Sequence, residues 1–238
     1  MLPDVVKNLL IINALFFLAT LVAGSNFQFD LSELLGLHYF ESKYFYPFQY
    51  ISYMFMHGDV GHIFFNMFAL WMFGSMLENR WGSKNFLIFY MVTGIGAGII
   101  NNLVSFVELQ YISDSIPREV IDAFKHQGKN IIGQSFPATQ DQLQNLYFIF
   151  SGGTVGASGA IYGLFVAFAM IYPNMKLYLM FIPIPIKAKY LVIGMVIYDL
   201  AAGLQPFYST GIAHFAHLGG GLIGFLLLTY WKRKGEVF

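Results

Sequence analysis

Apolar residues along this chain fall into long blocks that are separated by short polar segments. Six blocks are apolar enough to predict helices that enter a membrane, whose hydrocarbon core accommodates about 20 helical residues. The predicted spans are residues 9–24, 61–77, 85–107, 150–172, 189–204 and 212–231. The pattern therefore predicts an all-α membrane protein with a single six-span domain over residues 1–238.

The composition supports a membrane protein. Hydrophobic residues make up 57% of the chain and charged residues 11%, whereas soluble domains carry about 25% charge. The formal net charge is zero, which gives no indication of a nucleic-acid partner and leaves the lipid bilayer as the expected environment. The chain has no cysteine, so disulfides, thiolate metal sites and a cysteine nucleophile are excluded.

The segments around the spans differ in character. The first block has a competing interpretation as a signal peptide because small residues at 23–25 end it, but its length and the weakly basic start favour an uncleaved span. Residues 25–53 are rich in aromatic rings, which suit the membrane–water interface. Residues 108–145 are polar and are predicted to form an external insertion with one short amphipathic helix near 118–126.

The positive charges predict an orientation. With six spans both termini share a side, and that side would hold nine Lys and Arg residues against four on the other. By the positive-inside rule, both termini are predicted to be cytoplasmic. The predicted location is a bacterial cell (inner) membrane, in which the protein would be a multi-pass integral protein.

Ser158 lies at the start of the fourth span, within the sequence Gly156-Ala157-Ser158-Gly159. A helix from Ser158 to Tyr172 would be roughly 21 Å long, which is shorter than the hydrocarbon layer of about 30 Å. Ser158 is therefore predicted below the membrane surface, at a helix N-terminus whose free N–H groups favour negative charge.

The sixth span offers a base for this serine. His217 precedes Gly220 and Gly224, a GxxxG pair that allows close helix approach. Packing this face against Gly156 and Gly159 would bring His217 to Ser158, the nucleophile–base pair that hydroxyl catalysis requires.

Further polar side chains complete the predicted site. His62 and Asn66 are four residues apart on the second span, so both can point donors at one spot, as an oxyanion hole requires. Tyr162, one turn after Ser158, could pack its ring against the imidazole of His217. Asp199 is interpreted as a helix-end hydrogen-bonding residue, so the sequence predicts a Ser158–His217 dyad without a third member.

Other interpretations compete with a serine hydrolase. A polar residue in a span often only links helices by hydrogen bonds. Zinc could be bound by a convergence of histidines, namely His57, His62, His214 and His217. The chain lacks an H-E-x-x-H motif, a second in-span carboxylate for an aspartyl site, and the inverted repeat of many transporters. We therefore predict neither a metal nor a cofactor.

Taken together, the motifs resemble the rhomboid family of intramembrane serine proteases. The resemblance covers residues 45 to 230 and is carried by Gly156, Ser158, Gly159, Tyr162, Ala216, His217, Gly220, Gly224, His62 and Asn66. The segment Glu78-Asn79-Arg80-Trp81-Gly82 is similar to the family's second loop.

The resemblance implies a six-transmembrane-helix bundle with a water-filled cavity opening to the external side. It implies that Ser158 is the nucleophile, that His217 is the base and then the acid, and that His62 and Asn66 stabilise the oxyanion with the backbone N–H of Ser158. The expected substrates are transmembrane segments of other membrane proteins, with no cofactor. A proteolytically inactive rhomboid-like binder or chaperone is the alternative, and the oligomeric state stays open. The long 108–145 insertion and a first loop without a Trp-Arg pair depart from the family pattern.

Overall fold

The computed structural model describes residues 2–131, 135–179, 182–205 and 212–235. Two of its helical runs are long and apolar enough to cross a membrane by length and composition, Asp4–Phe27 and Val60–Ser113, and a shorter apolar helix covers Ser158–Ile171. The fold is a mostly helical membrane fold.

Ten helices and one hairpin follow one another within the described ranges. The helices are α1 Asp4–Phe27, α2 Leu31–Leu35, α3 Gln49–Ser52, α4 Val60–Ala69, α5 Ser75–Ser113, α6 Arg118–Gln127, α7 Gln140–Ser151, α8 Ser158–Ile171, α9 Ala188–Gly203 and α10 His214–Lys234. The strands are β1 Lys176–Leu179 and β2 Ile182–Lys187. Short 3₁₀ turns cover Tyr53–Phe55 and Gly128–Ile131, and a π turn at Leu70–Gly74 joins α4 to α5.

A break near the start of α5 separates the segments predicted as the second and third spans. Gly82 has φ 77° and ψ 160°, which is not helical, and a Cβ there would meet no atom within 4 Å. Glycine is therefore needed for its backbone conformation and not for space. Just before the break, the buried carboxylate of Glu78 accepts hydrogen bonds from the backbone N–H groups of Val5 and Val6 and so caps α1.

Helix α8 packs against α5 and α10 at the centre of the molecule. At the α8–α10 contact, a Cβ placed on Gly220 would lie 1.9 Å from the carbonyl oxygen of Gly159. One turn further, a Cβ on Gly224 would lie 2.9 Å from the Cα of Gly163. These backbones touch because neither glycine carries a side chain.

Residues 150–172, predicted as one span, do not form one helix. Helix α7 ends at Ser151, and the chain then runs without helical structure to Ala157, forming an isolated bridge between Thr154 and Leu37. Gly156 adopts φ +124°, a conformation that side chains disfavour, and α8 begins two residues later at Ser158. The glycines of this segment thus interrupt the helix and set the start of α8.

The region predicted as an insertion packs around its own apolar core. Helix α5 continues to Ser113, and α6 covers the range predicted as an amphipathic helix. Helix α7 was not predicted; it begins with a capping box between Thr139 and Gln142. The core consists of Tyr39, Leu109, Ile116, Val120, Phe124, Ile131, Leu146, Ile149 and Phe150.

The proline-rich lead to the fifth predicted span forms a hairpin. Strands β1 and β2 pair antiparallel, with Lys176 opposite Lys187, and α9 begins directly after β2. This hairpin is a departure from the all-α expectation.

Candidate active site

Ser158 and His217 lie in direct contact. Ser158 is the first residue of α8, and His217 lies in the first turn of α10. The Oγ atom of Ser158 is 2.9 Å from the Nε2 atom of His217, although 59 positions separate the two residues in the sequence. The close packing of α8 on α10 at Gly159 and Gly220 sets this distance.

Asp199 joins this pair from α9. Its Oδ1 atom is 3.2 Å from the Nδ1 atom of His217 and 2.5 Å from the Nδ1 atom of His214. Its side chain is 1% exposed, so this carboxylate is buried among hydrogen-bond donors. Sequence reasoning interpreted Asp199 only as a helix-end residue; its status as the single in-span carboxylate was the available signal, because buried ionisable groups in membranes are functional candidates.

Tyr162 contacts both the imidazole and the carboxylate. Its ring stacks on that of His217 with centroids 4.4 Å apart and an interplanar angle of 13°. Its hydroxyl donates a hydrogen bond to the Oδ2 atom of Asp199. Tyr162 therefore limits the tilt of the imidazole and occupies the second carboxylate oxygen.

His62 lies against Gly156, close to Ser158. A Cβ on Gly156 would lie 2.7 Å from the Nε2 atom of His62 and 3.7 Å from the Oγ atom of Ser158. The backbone N–H of Gly58 donates a long 3.4 Å bond to the Nδ1 atom of His62. A neutral imidazole that accepts at Nδ1 carries its proton on Nε2, so this tautomer presents an N–H on the side of Gly156 and Ser158.

Asn66 is buried, but its amide is engaged within its own helix. The Nδ2 atom donates a 2.8 Å bond to the backbone carbonyl of His62, one turn earlier. The amide has a second N–H hydrogen, which leaves it able to donate to another acceptor. The structure thus brings His62 close to Ser158 and keeps Asn66 one turn behind it.

The four histidines weighed as zinc ligands form two separate pairs. The rings of His57 and His62 are 5.0 Å apart, and those of His214 and His217 are 6.3 Å apart. Among the described residues, the group of three His, Cys, Asp or Glu side chains whose ligand atoms all lie within 4.8 Å of one another is Asp199, His214 and His217. The histidine quartet does not assemble.

A cavity of about 570 Å³ lies beside this site, between the second half of α5, the end of α7 and the start of α10. His214 lines the cavity, together with Asn101, Glu108 and Thr154, whereas Ser158 and His217 are not among its lining residues. The cavity therefore reaches the Asp199–His214 side of the cluster.

Comparison with known proteins identifies a family and several relatives of this chain. The family profile of the Rhomboid domain matches residues 45–114 and 129–234. Rhomboid protein 1, mitochondrial, of Saccharomyces cerevisiae is 27% identical over 76% of this chain and 41% of its own length. Rhomboid-like protein 11, chloroplastic, of Arabidopsis thaliana is 23% identical over 83% of this chain and 56% of its own length. Rhomboid protease GlpG of Haemophilus influenzae is 32% identical over 42% of this chain and 52% of its own length.

These comparisons cover only part of each relative's length, and they correct the predicted location. The chain spans 41% of the yeast relative and about half of the other two. Mitochondrial and chloroplastic proteins are among the relatives, at similar identity and over most of this chain, so similarity does not single out a bacterial membrane. The prediction of a bacterial inner membrane with cytoplasmic termini is therefore wrong, because charge asymmetry orders the two sides of a membrane without naming the membrane.

The Rhomboid profile covers well over half of the residues, so the resemblance drawn from the motifs is confirmed and the chain belongs to the rhomboid family.

Proposed function

We propose that this protein is an intramembrane serine endopeptidase that cleaves transmembrane segments of other membrane proteins. The observation that carries this proposal is the 2.9 Å contact between the Oγ atom of Ser158 and the Nε2 atom of His217 at the N-terminus of α8. A serine hydroxyl is a weak nucleophile until an adjacent base accepts its proton. The name of the Haemophilus relative describes it as a rhomboid protease, which agrees with a proteolytic function.

His217 acts as the base in the first step. Its Nδ1 atom faces the carboxylate of Asp199, so the ring proton resides on Nδ1 and the lone pair of Nε2 faces Ser158. The Oγ atom attacks the carbonyl carbon of the scissile bond while Nε2 takes the hydroxyl proton. Asp199 is a positioning residue in this step: it holds the tautomer and stabilises the positive charge that forms on the imidazole.

The negative charge of the tetrahedral intermediate falls at the N-terminus of α8. The backbone N–H of Ser158 lies in the first turn, where N–H groups lack helical partners. The Nε2–H of His62 is a side-chain donor beside Gly156, and the second amide hydrogen of Asn66 can add to it. Donors held in place before the charge forms are the largest single source of stabilisation in many enzymes.

The remaining steps return the proton and complete the hydrolysis. The imidazolium of His217 protonates the leaving amine, the C–N bond breaks, and an acyl-enzyme on Ser158 remains. A water then attacks the ester carbonyl, giving its proton to His217, which passes it back to Oγ as the acid product leaves. No cofactor enters this balance.

Transmembrane segments are the substrates that suit a serine placed below the membrane surface. Peptide bonds in a membrane helix are shielded by their own hydrogen bonds, so the segment has to unwind before its carbonyl can reach Ser158. Gly and Pro lower the free energy required to unwind a helix locally. Six membrane spans with a water-filled cavity over Ser158 are part of the proposal, because hydrolysis requires water at this depth.

Covalent labelling by a fluorophosphonate tests the proposal without a known substrate. The purified protein in detergent is compared with Ser158→Ala, His217→Ala and Ser25→Ala, whose serine is exposed at the end of α1. Labelling of the wild type and of Ser25→Ala, lost in the other two, supports the proposal. Equal labelling of the wild type and Ser158→Ala overturns the assignment of Ser158 as the nucleophile. A folded wild type that neither reacts nor cleaves membrane substrates in lipid supports the inactive binder instead.

A further inference from the structure

The group formed by Asp199, His214 and His217 carries the ligand chemistry of a metal site. It offers one carboxylate oxygen and two imidazole nitrogens, and these three atoms lie within 4.8 Å of one another. Two of the ligands come from one turn of α10 and the third from α9. We infer that this group binds a zinc ion, and that zinc bound there reversibly inhibits the proposed protease.

The separations of the ligand atoms suit zinc. Zinc binds imidazole nitrogen and carboxylate oxygen at about 2.0–2.2 Å, which places ligands of a tetrahedral site about 3.3 Å apart. The Oδ1 atom of Asp199 is already 3.2 Å from the Nδ1 atom of His217. Its 2.5 Å contact with the Nδ1 atom of His214 has to open by about 0.8 Å, which a small side-chain rotation provides.

The surroundings of the group also suit a metal. The hydroxyl of Tyr162 donates to the Oδ2 atom of Asp199, and carboxylate ligands of metals are held by such outer hydrogen bonds. The side chains of Asp199 and His214 are only 1% and 3% exposed, so a bound ion would be shielded from bulk water. Since His214 lines the neighbouring cavity, an ion can approach the group from that side. Three protein ligands leave a fourth position for water.

Zinc at this position changes which nitrogen of His217 carries the proton. In the metal-free protein, Nδ1 carries it towards Asp199 and the lone pair of Nε2 faces Ser158. Zinc needs the lone pair of Nδ1, so the proton moves to Nε2 and the ring stays neutral. The same shift occurs at His214, and no proton is released overall. Because Nε2 then carries hydrogen, His217 can donate to the Oγ atom of Ser158 but cannot accept its proton.

The inhibition rests on the proposed function, whereas binding of the metal does not, so the experiment has two arms. The binding arm uses Ser158→Ala protein with all 238 residues, stripped with EDTA and then dialysed against zinc or cobalt(II). We expect one zinc per chain and the intense visible absorption of four-coordinate cobalt. In the same background, His214→Gln and Asp199→Asn should each weaken binding at least tenfold. His126→Gln, which removes an exposed histidine, should leave binding unchanged.

Three results would overturn the site: absence of bound metal, equal binding in His214→Gln and Asp199→Asn, or loss of binding in His126→Gln. His214→Gln keeps an amide that can donate to Asp199, and thermal unfolding checks that each variant is folded. If one of these two variants does not fold, metal binding by the other variant tests the site.

The activity arm measures the rate of fluorophosphonate labelling of otherwise wild-type protein. Zinc should slow labelling at least tenfold, and EDTA should restore the rate. His214→Gln, compared with its own zinc-free rate, should need at least tenfold more zinc. Bound zinc without slower labelling overturns the inhibition. A wild type that is unreactive without any metal overturns the proposed function and leaves the binding arm to decide the site.

Discussion

The Oδ1 atom of Asp199 lies 3.2 Å from the Nδ1 atom of His217, on the opposite side of the imidazole from Ser158. Asp199→Asn should therefore lower kcat by about 10- to 1,000-fold, because the asparagine amide can donate to Nδ1 and favour the wrong tautomer. KM should change much less, since Asp199 acts through His217. Kinetics with a cleavable membrane substrate, measured beside the labelling rate, check this expectation.

A second substitution at the same carboxylate distinguishes the positioning role of Asp199 from a general effect on folding. Tyr162→Phe removes one donor to the same carboxylate but keeps the ring that stacks on His217. It should reduce kcat less than Asp199→Asn does. If folded Asp199→Asn keeps the wild-type kcat, the Ser158–His217 pair works without the carboxylate.

His62 and Asn66 should contribute unequally to the oxyanion. His62→Ala removes the side-chain donor that faces Gly156 and should lower kcat about 100-fold. Asn66→Ala should have a smaller effect, because the Asn66 amide already donates to the carbonyl of His62. Single-turnover acylation rates of the two variants show which substitution causes the larger loss. A larger loss in Asn66→Ala would mean that the asparagine amide, and not His62, is the main donor.

The sequence could predict the contact partners of Ser158 but not the part that Asp199 plays. Glycine spacing marks the faces of α8 and α10 that can approach closely, and Ser158 and His217 lie on those faces. The rotation of α9 about its own axis depends on packing, and its pattern is apolar nearly all round, so the direction of Asp199 was not readable from the sequence.

Some helices of the fold are predicted clearly by the sequence, whereas α7 is not. Long apolar blocks predict helices with little ambiguity, as at α1 and α10. Helix α7 was missed because its apolar C-terminal residues run directly into the apolar start of the next block. The extended conformation of Gly152 and the positive φ of Gly156 separate the two helices before Ser158, and neither conformation is readable from the apolar pattern.

The contact between Gly220 and Gly159 should tolerate no side chain. Gly220→Ala would place its Cβ 1.9 Å from a backbone oxygen, so α8 and α10 would have to separate. We expect destabilisation by about 3 kcal/mol and loss of labelling, since overpacking of this kind cannot be relieved by a rotamer change. Gly194→Ala in α9 is the control, because nothing lies within 4 Å of its Cβ position. Thermal unfolding in detergent measures the difference. Equal unfolding midpoints for the two variants would contradict the expectation.

The carboxylate of Glu78 should stabilise α1. Its oxygens accept from the backbone N–H groups of Val5 and Val6 at 2.9 and 2.8 Å, and from the hydroxyl of Ser83. Glu78→Gln removes the charge and one acceptor, which should cost about 1–3 kcal/mol because a buried N–H group loses its partner. Glu119→Gln removes a charge from an exposed first turn and should change little. Equal unfolding midpoints in the two variants would rule out the capping role.

His38, in the loop between α2 and α3, should make stability fall in acid. Burial is the main reason that its pKa lies below the usual value of 6.5. Its Nε2 donates to the carbonyl of Glu33, while Nδ1 is buried without a hydrogen-bond partner. Because the unfolded chain binds the proton more readily, the stabilisation is complete above the unfolded pKa and is lost as pH falls through the lower folded pKa.

Unfolding midpoints between pH 7.5 and pH 5 test this expectation. The wild type should lose stability across the interval, and His38→Gln, which cannot be protonated there, should show a shallower dependence on pH. His126→Gln removes an exposed histidine on α6 and should keep the wild-type slope. A wild-type slope in His38→Gln would mean that other groups cause the loss, because only burial of the neutral imidazole ties this part of the pH dependence to His38.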